Sequence, residues 1–393
     1  MPHISFGIDV FLKKYKPQQF KRLGLVTNDA VMTKQVVPVR KALTEAGFPI
    51  VRLFSPEHGI DAMGADGAAM KDKMDSLTGL PIHSLYSSKL KPPPSVLQDL
   101  DAVLFDLPDI GVRFYTYIWT LSHVMEACND SQTPLIVLDR PNPLGSNLTW
   151  AEGPLLDEST VSSFIGRWRI PIRHSLTVGE LAQFWKAERQ LHHLDLTIVT
   201  VENGQRNLFF QDLNLPFIPT SPAISSVDTL LTYPALCFLE GLNVSEGRGT
   251  SFPFRVCGAT WINGWQLAEA FNSLNLAGVK ARAFSFTPSE GVYKNQLCFG
   301  IMLHIVDRIA FKPVSTGLYL VYLLRNLYPK HIQWANYPTL VNQTGARHFD
   351  LLTGTPELRF AMEHDGKIFA KSIENWTQTA DWVEKVTPYL IYE

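Results

Sequence analysis

The sequence predicts an α/β protein, with a Rossmann-like N-terminal domain built on a mainly parallel sheet and a smaller α+β C-terminal domain. The chain has 393 residues, enough for two or three domains. Hydrophobic residues make up 46% of it and charged residues only 18%, a composition that favours a large globular core. Through residues 1–140, short apolar runs alternate with amphipathic stretches. That alternation is typical of βαβ units and a parallel sheet.

Buried strands are predicted where short apolar runs stand between turn-forming residues. The runs are Leu23–Thr27, Ile50–Phe54, Ile82–Tyr86, Ala102–Leu107 and Leu135–Leu138. Amphipathic stretches between the runs predict helices over Lys34–Ala46, which Gly47 closes, and over Tyr115–Cys128. Right-handed crossovers would place such helices on both faces of the sheet.

Beyond residue 150 the pattern loosens into a helix at Thr177–Gln190 and a proline-rich connection at Pro216–Pro222. After Pro253 the pattern predicts two strands, a helix and a tail that forms an amphipathic helix with a short end segment. These are Val279–Thr287, Gln296–Ile309, Thr316–Leu327 and Trp376–Tyr392. We therefore expect a domain boundary near 250, with residues 1–250 carrying most of the candidate site and residues 251–393 forming the smaller domain.

Composition and the absence of several motifs exclude some classes of function. The formal net charge is -2 without a block of like charge, so we expect no nucleic-acid partner. The four cysteines are far apart and suggest neither a zinc site nor a disulfide framework. G-x-G-x-x-G, G-x-x-x-x-G-K-[ST], G-x-S-x-G and H-E-x-x-H are missing, and we predict no cofactor.

Targeting signals are also missing from the sequence. No apolar run approaches the roughly 20 residues of a membrane span, so none is predicted. The first residues lack a charged segment followed by an apolar one, which predicts no signal peptide. We expect a cytoplasmic protein as the chain stands, and a periplasmic or secreted one if a leader has been removed.

Polar loops follow three of the predicted strands. They are Ser55–Gly59, Asp106–Tyr117 and Asp139–Pro143, and they should meet at one edge of the sheet, because parallel strands end together. Two further segments, Glu240–Thr250 and Glu152–Pro154, combine acidic or other polar residues with glycines that allow close backbone approach. Convergence of these loops predicts a ligand site.

Acid–base chemistry by paired carboxyl groups suits these loops. Glycoside cleavage needs one protonated carboxyl to donate to the leaving oxygen and a second group as base, nucleophile or cation stabiliser. His58 is placed to tune the Glu57 carboxyl or share its proton. The available carboxylates are Glu57, Asp106, Asp109, Glu152 and Glu246.

For some of these residues, the alternative to a catalytic or binding role is a structural role. Asp106 and Asp139 end buried strands, where such residues often cap the next helix, and Arg140 is suited to hold a turn by ion pairing. A metal-dependent hydrolase that uses the Asp/His edge stays open, although no local spacing marks a ligand set. The histidines interpreted as surface or capping residues are His174, His192, His193 and His348.

Six segments in order resemble the signature segments of the NamZ-like exo-β-N-acetylmuramidases, a bacterial family formerly catalogued as a domain of unknown function. The similarity runs from Gly7 to Tyr392. The segments are Ser55–Gly59, Phe105–Tyr117, Leu138–Gly145, Glu152–Pro154, Thr177–Ala182 and Glu240–Thr250.

The resemblance implies two domains with an active-site cleft between them. It implies hydrolytic release of terminal non-reducing N-acetylmuramic acid from peptidoglycan fragments, in cell-wall turnover and recycling. The partner would be a muramic-acid-containing saccharide or muropeptide. Glu57 is the leading catalytic candidate, joined by His58, Asp106 and Glu246. The expected substrate-binding residues are Arg113, Tyr117, Asp139, Arg140, Asn142, Glu152, Asn243 and Arg248.

Muramic acid carries a lactyl carboxylate, for which a guanidinium fork is the natural partner; Arg113, Arg140 and Arg248 are the candidates. Two positions depart from the family pattern. Pro108 stands where a Gln is expected, and Ala223 stands where an Asn is expected. The alternative is therefore a non-catalytic or altered-specificity amino-sugar-binding protein of the same fold.

Overall fold

The structure is a computed structural model that describes residues 4–393, apart from the side chain at position 368. Within that range the larger sheet has seven strands, in the spatial order β3-β4-β2-β1-β5-β6-β7. All pairs are parallel except the edge pair of β3 and β4. The strands are β1 Leu23–Val26, β2 Ile50–Ser55, β3 Lys73–Met74, β4 Pro81–Ser84, β5 Ala102–Phe105, β6 Leu135–Leu138 and β7 Leu196–Val199.

Every residue of the three central strands β1, β5 and β6 is buried, as their aliphatic sequences require of strands covered on both faces. Helices pack on this sheet, and α1 contacts β6 and β7 while α5 contacts α3, β6 and β7. The helices of this half are α1 Gly7–Lys14, α2 Val39–Glu45, α3 Tyr117–Ser131, α4 Glu158–Val161 and α5 Val178–Glu188.

The rest of the chain surrounds a three-stranded antiparallel sheet of order β8-β10-β9. Helix α8 packs against α6, α7 and α11. The elements are α6 Val227–Leu236, β8 Val256–Ala259, α7 Gly264–Ser273, β9 Val279–Phe286, β10 Cys298–Ile305, α8 Pro313–Leu327, α9 His348–Thr353, α10 Glu357–His364, α11 Gly366–Thr377 and α12 Ala380–Val386. Over the described residues, no helix combines the length and apolarity of a membrane span.

The predicted fold class is confirmed, with a few corrected elements. Helix α2 begins at Val39 rather than Lys34, because Pro38 is its N-cap and the preceding residues form a turn. The predicted tail, Trp376–Tyr392, contains the helix α12 and a short end segment, while α11, which ends at Thr377, was not predicted. Strand β7 was not predicted, since its partly exposed edge sequence lacks a buried apolar run.

Candidate active site

A cleft of about 600 Å³ lies beside the carboxyl ends of β2, β4 and β5. One wall comes from the loops after these strands, including Glu57, Tyr86 and Thr116. The opposite wall comes from residues 221–254 and 337–352. The cleft therefore lies between the Rossmann-like part and the later segments, where polar groups from distant parts of the sequence meet.

Glu57 stands in a tight turn directly after β2. His58, its neighbour, has φ 67° and Gly59 has φ 73°, and the former is a left-handed conformation that non-glycine residues rarely adopt. Only 4% of Glu57 is exposed. Its Oε1 accepts a hydrogen bond from the Gly67 amide at 2.9 Å. The turn thus fixes one carboxyl in the cleft wall, as strained turns at functional sites often do.

The surroundings of Glu57 favour its protonated form. Burial raises the pKa of the Glu57 carboxyl, and the negative charge of Asp66 raises it further, against smaller opposing effects of His58, Thr116 and Gly67. The Tyr86 hydroxyl also hydrogen-bonds this carboxyl. A raised pKa makes a buried carboxyl better suited to donate a proton to a leaving oxygen.

Asp66 lies at the mouth of the cleft, and its pKa is shifted in the opposite direction to that of Glu57. Its side chain is 32% exposed, and its Oδ2 accepts a hydrogen bond from the Tyr337 hydroxyl at 2.7 Å. Although partial burial acts to raise it, the pKa of Asp66 is lowered, by Arg248 and His58 above all. The cleft therefore contains one carboxyl whose pKa is raised and another whose pKa is lowered.

His58 lies beside both of these carboxyls. Its Nδ1 is 2.8 Å from the Gly64 carbonyl oxygen, which assigns the proton to Nδ1 and leaves Nε2 as the other available ring nitrogen. A positive charge on His58 lowers the pKa of both Glu57 and Asp66. This residue is thus placed to adjust the charge balance of the pair.

Arg248 is surrounded by three carboxylates. Its Nη2 is 2.8 Å from Glu240 Oε1 and 3.6 Å from Asp66 Oδ2, and its Nε is 3.2 Å from Glu246 Oε1. The guanidinium also lies 4.8 Å from the centre of the Phe254 ring. Burial alone would lower the pKa of Arg248, but these acidic groups raise it well above its ordinary value. Arg248 therefore stays charged and holds this wall of the cleft together.

Glu246 lies behind Arg248 and is not among the residues that line the cleft. Burial raises its pKa to about 7, partly offset by Arg248 and reinforced by Glu240. The folded protein thus retains a proton that the unfolded chain releases near pH 4.5. Because the folded state binds more protons, the contribution of Glu246 to stability decreases as pH rises from about 4.5 through about 7.

Replacing Glu246 should remove that pH dependence. Between pH 5 and pH 8 we expect the unfolding free energy of the wild type to fall by about 2–3 kcal/mol more than that of Glu246→Gln. Urea unfolding at both pH values measures the difference. Glu45→Gln, at a side chain 63% exposed on α2, is the control and should follow the wild type. Equal pH slopes for wild type and Glu246→Gln would contradict the assignment.

Several cleft residues were not predicted to be site residues: Asp66, Tyr86, Glu240, Tyr337 and His348. The interpretation of His348 as a surface or capping residue was wrong. Its ring is buried, lies 4.6 Å from that of Tyr337 in a stack, and its Nε2 is 3.1 Å from Glu240 Oε2. His174 is also buried, against Asp109. Glu240 stood in a recognised segment, whereas Tyr337 and His348 carried no local signal.

The structure brings Glu57, His58 and Arg248 into the cleft and puts Glu246 directly behind it. Asp106 and Arg140 lie elsewhere, as a buried ion pair with Nε–Oδ1 at 2.5 Å and Nη2–Oδ2 at 3.0 Å. Neither side chain lines the cleft.

Arg113 is completely buried, and among the described residues it has no carboxylate partner. Its Nη1 donates to the carbonyl oxygens of Pro154 and Ile170 at 2.7 and 3.0 Å, and its Nη2 donates to that of Leu352 at 3.0 Å. Burial lowers the pKa of Arg113 to about 9. These contacts join three separate segments and leave the guanidinium outside the cleft.

Tyr117 and Asn142 also bond inside the protein. The Tyr117 hydroxyl donates to the Thr220 carbonyl at 2.8 Å, and the Asn142 amide donates to the Leu176 carbonyl at 3.0 Å. Asp139 accepts hydrogen bonds from the Gly179 amide at 2.8 Å and, through its other oxygen, from the Thr177 hydroxyl at 2.7 Å. Burial raises the pKa of Asp139 to about 6.

Glu152 and Asn243 connect distant segments. The Glu152 carboxylate accepts from the amides of Val314 and Ser315, at 3.2 and 3.1 Å, and so binds the first turn of α8. Asn243 accepts from the Gln333 amide at 2.7 Å and donates to the His331 carbonyl at 2.9 Å. Neither residue lines the cleft.

The two residues that depart from the family pattern lie in different parts of the structure. Ala223 lines the cleft, whereas Pro108 lines a different hollow at the same sheet edge. Pro108 therefore lies outside the cleft. Within the described residues no group of three or more His, Cys, Asp or Glu is arranged to hold a metal ion.

A Rossmann-like domain joined to a second region, with a carboxyl of raised pKa and one of lowered pKa in the cleft between them, is an arrangement suited to glycosidases of the acid–base class. Two family models, described as the N-terminal and C-terminal parts of exo-β-N-acetylmuramidase NamZ, match residues 23–228 and 231–392. The chain belongs to this family. The predicted family and the predicted glycosidase class are thereby confirmed.

Individual relatives agree with this assignment. The chain is 39% identical over 394 residues to a Bacillus subtilis (strain 168) protein named peptidoglycan β-N-acetylmuramidase NamZ, covering 100% of this chain and 92% of that protein. Two crystal structures of DUF1343 family proteins from Bacteroides fragilis NCTC 9343 have TM-scores of 0.88 and 0.75 at 30% and 27% identity. Each alignment covers 100% of this chain and 99% of the other. The family models meet earlier in the chain than residue 250, and the boundary at 250 stays a prediction.

Proposed function

We propose that the chain releases terminal, non-reducing N-acetylmuramic acid from peptidoglycan fragments, with Glu57 as the general acid. The observation that carries the proposal is the buried Glu57 carboxyl, which lines the cleft and whose pKa is raised by burial and by Asp66. The peptidoglycan activity named for the Bacillus subtilis relative supports the choice of substrate. The biological role would be cell-wall turnover and recycling.

The reaction needs a proton at the glycosidic oxygen and negative charge near the sugar carbon. Glu57 gives its proton to the oxygen as the bond from that oxygen to the muramic acid carbon breaks. Asp66, held ionised by Arg248 and Tyr337, stabilises the positive charge that develops on the sugar ring and receives the proton of the incoming water. Water supplies the hydroxyl group of the released sugar, so atoms and charge balance.

The proposed role of Asp66 gives a direct expectation for Asp66→Asn. We expect kcat to fall about 100-fold or more, because the amide neither carries the charge nor accepts the proton. The acid limb of the pH–rate profile should disappear, since wild-type activity is lost as pH falls through the lowered pKa of Asp66. Asp61→Asn, at a side chain 58% exposed nearby in the chain, is the control and should match wild type. An unchanged kcat would exclude this role.

Arg248 is the proposed partner of the lactyl carboxylate, since it lines the cleft while Arg113 and Arg140 do not. For Arg248→Ala we expect kcat/KM to fall 10–100-fold more for a chromogenic muramide than for the matching glucosaminide, as one charged hydrogen-bonded contact is worth about 1.5–3 kcal/mol. The ratio of the two specificity constants is the measurement. Equal losses would mean that Arg248 serves only to neutralise Glu240, Asp66 and Glu246.

The substrate proposal itself is tested with a muramyl–glucosamine disaccharide. We expect muramic acid to be released when it is the non-reducing sugar and not when the order of the two sugars is reversed. Calorimetric binding of muramic acid without any turnover over hours would instead favour an amino-sugar-binding protein of the same fold.

A further inference from the structure

A second hollow, of about 700 Å³, lies at the same edge of the large sheet but on the other side of β1 from Glu57. The loops after β1, β5 and β6 line it, together with a later segment that includes Phe210 and Phe217. The chain runs from β1 outward to β2 and β4, and from β5 outward to β6 and β7. The hollow therefore lies at the topological switch point, where open α/β sheets bind ligands.

The walls of this hollow are mainly apolar and rich in flat surfaces. Prolines and phenylalanines from separate loops face it, and Phe210 and Phe217 form an edge-to-face pair with ring centres 5.3 Å apart. Such walls suit a flat ring more than a charged or strongly hydrated group. The ring-bearing residues of these walls include Phe6, Pro108, Pro141, Phe210, Pro216 and Phe217.

Two polar side-chain atoms of this lining, Asp109 Oδ1 and the Thr220 hydroxyl oxygen, have no hydrogen-bond partner among the described residues. Asp109 lines the hollow and is only 6% exposed. Its Oδ2 accepts from the Gly111 amide at 2.9 Å and lies 2.9 Å from His174 Nε2. His174 Nδ1 accepts from the Leu176 amide, so Nε2 carries the proton and donates to Asp109. Among the described residues, Asp109 Oδ1 has no hydrogen-bond partner.

An unpaired buried carboxylate oxygen is costly unless a donor meets it. The cations in the lining do not fill that role: Arg140 is paired with Asp106, and Lys34 is an exposed side chain of the β1 loop. Asp109 is the sole carboxylate among the described lining residues. A mainly apolar enclosure with a free carboxylate oxygen, beside a hydroxyl that can donate or accept, is complementary to an apolar ring that carries a donor.

We propose that this hollow is a second ligand site, separate from the cleft, for a small aromatic or cyclic molecule that carries one N–H or O–H donor. The ring packs between the proline and phenylalanine walls, and the donor hydrogen-bonds Asp109 Oδ1.

Indole and indene test the proposal, because they share a shape and differ in the N–H donor. Calorimetry and chemical-shift titration on the full chain should show indole binding at least tenfold more tightly than indene. Saturating muramic acid should leave indole binding unchanged. Equal affinities for indole and indene, or no binding of either at millimolar concentration, would overturn the proposal.

Two variants test whether indole binds in this hollow. In Asp109→Asn the amide oxygen keeps the bonds from Gly111 and His174, so the NH₂ group takes the place of Oδ1 and presents donors; the preference for indole should fall below twofold. Leu215→Trp fills the hollow from a half-buried rim position and should abolish binding of both probes while muramide hydrolysis continues. Indole binding that survives Leu215→Trp unchanged would also overturn the proposal, even if Asp109→Asn does not fold.

Discussion

Glu57→Gln should reduce kcat for the muramyl–glucosamine disaccharide by about 1,000-fold. The amide has the shape of the acid but no proton to donate, and general acid catalysis contributes roughly 10²–10⁴-fold. The loss should be much smaller for a nitrophenyl muramide, because that leaving group departs without protonation. Initial rates on the two substrates give the comparison. Glu269→Gln, an exposed carboxyl on α7, should behave as wild type on both.

The same substitution should change the alkaline side of the pH profile. Activity that needs a protonated Glu57 is present below the raised pKa of that carboxyl and is lost as pH rises through it. In Glu57→Gln the residual activity should therefore lack the alkaline limb. Equal losses on the two leaving groups, with the limb retained, would remove Glu57 from the role of acid.

Arg113→Met should lower the free energy of unfolding by about 3 kcal/mol or more. The substitution keeps most of the side-chain volume but leaves three buried carbonyl oxygens, of Pro154, Ile170 and Leu352, without their donor. Each unsatisfied buried acceptor costs roughly 1–3 kcal/mol, partly offset because a buried cation is removed. Urea unfolding at pH 7 is the measurement.

Arg22→Met is the control, since that side chain is 47% exposed and pairs on the surface with Asp99, whose side chain is 43% exposed. It should change stability by less than about 1 kcal/mol. If Arg113 instead bound the lactyl carboxylate, Arg113→Met would raise KM for muramides and leave unfolding unchanged. The two readouts thus separate a structural from a substrate-binding role.

The sequence predicts the sheet well because its central strands are continuous apolar runs, and the loop with Glu57 is marked by unusual residues beside Pro56 and Gly59. The sequence predicts less accurately which of the polar loops share one site. Strands β2 and β6 have β1 and β5 between them, so at about 4.8 Å per strand the loops with Glu57 and Asp139 start roughly 14 Å apart. One sheet edge therefore accommodates two separate hollows.

The positive charge of the three candidate arginines did not show which of them lies in the cleft. Arg113, Arg140 and Arg248 all stand in polar motifs, but their partners are respectively backbone carbonyls, one carboxylate and three carboxylates. Those partners lie up to 239 positions away in the sequence, as for Arg113 and Leu352. Tyr337 reaches the cleft through a similarly distant contact with Asp66, across 271 positions. Such pairings depend on tertiary packing, so they cannot be predicted from the local spacing of residues in the sequence.

The most direct test of the account is a crystal structure of the Glu57→Gln variant with the intact muramyl–glucosamine disaccharide. We expect the side chain at position 57 within about 3.2 Å of the glycosidic oxygen, and Asp66 facing the muramic acid ring on the other side. A disaccharide bound in the cleft with position 57 out of hydrogen-bond reach of that oxygen, or with another carboxyl in its place, would contradict the account.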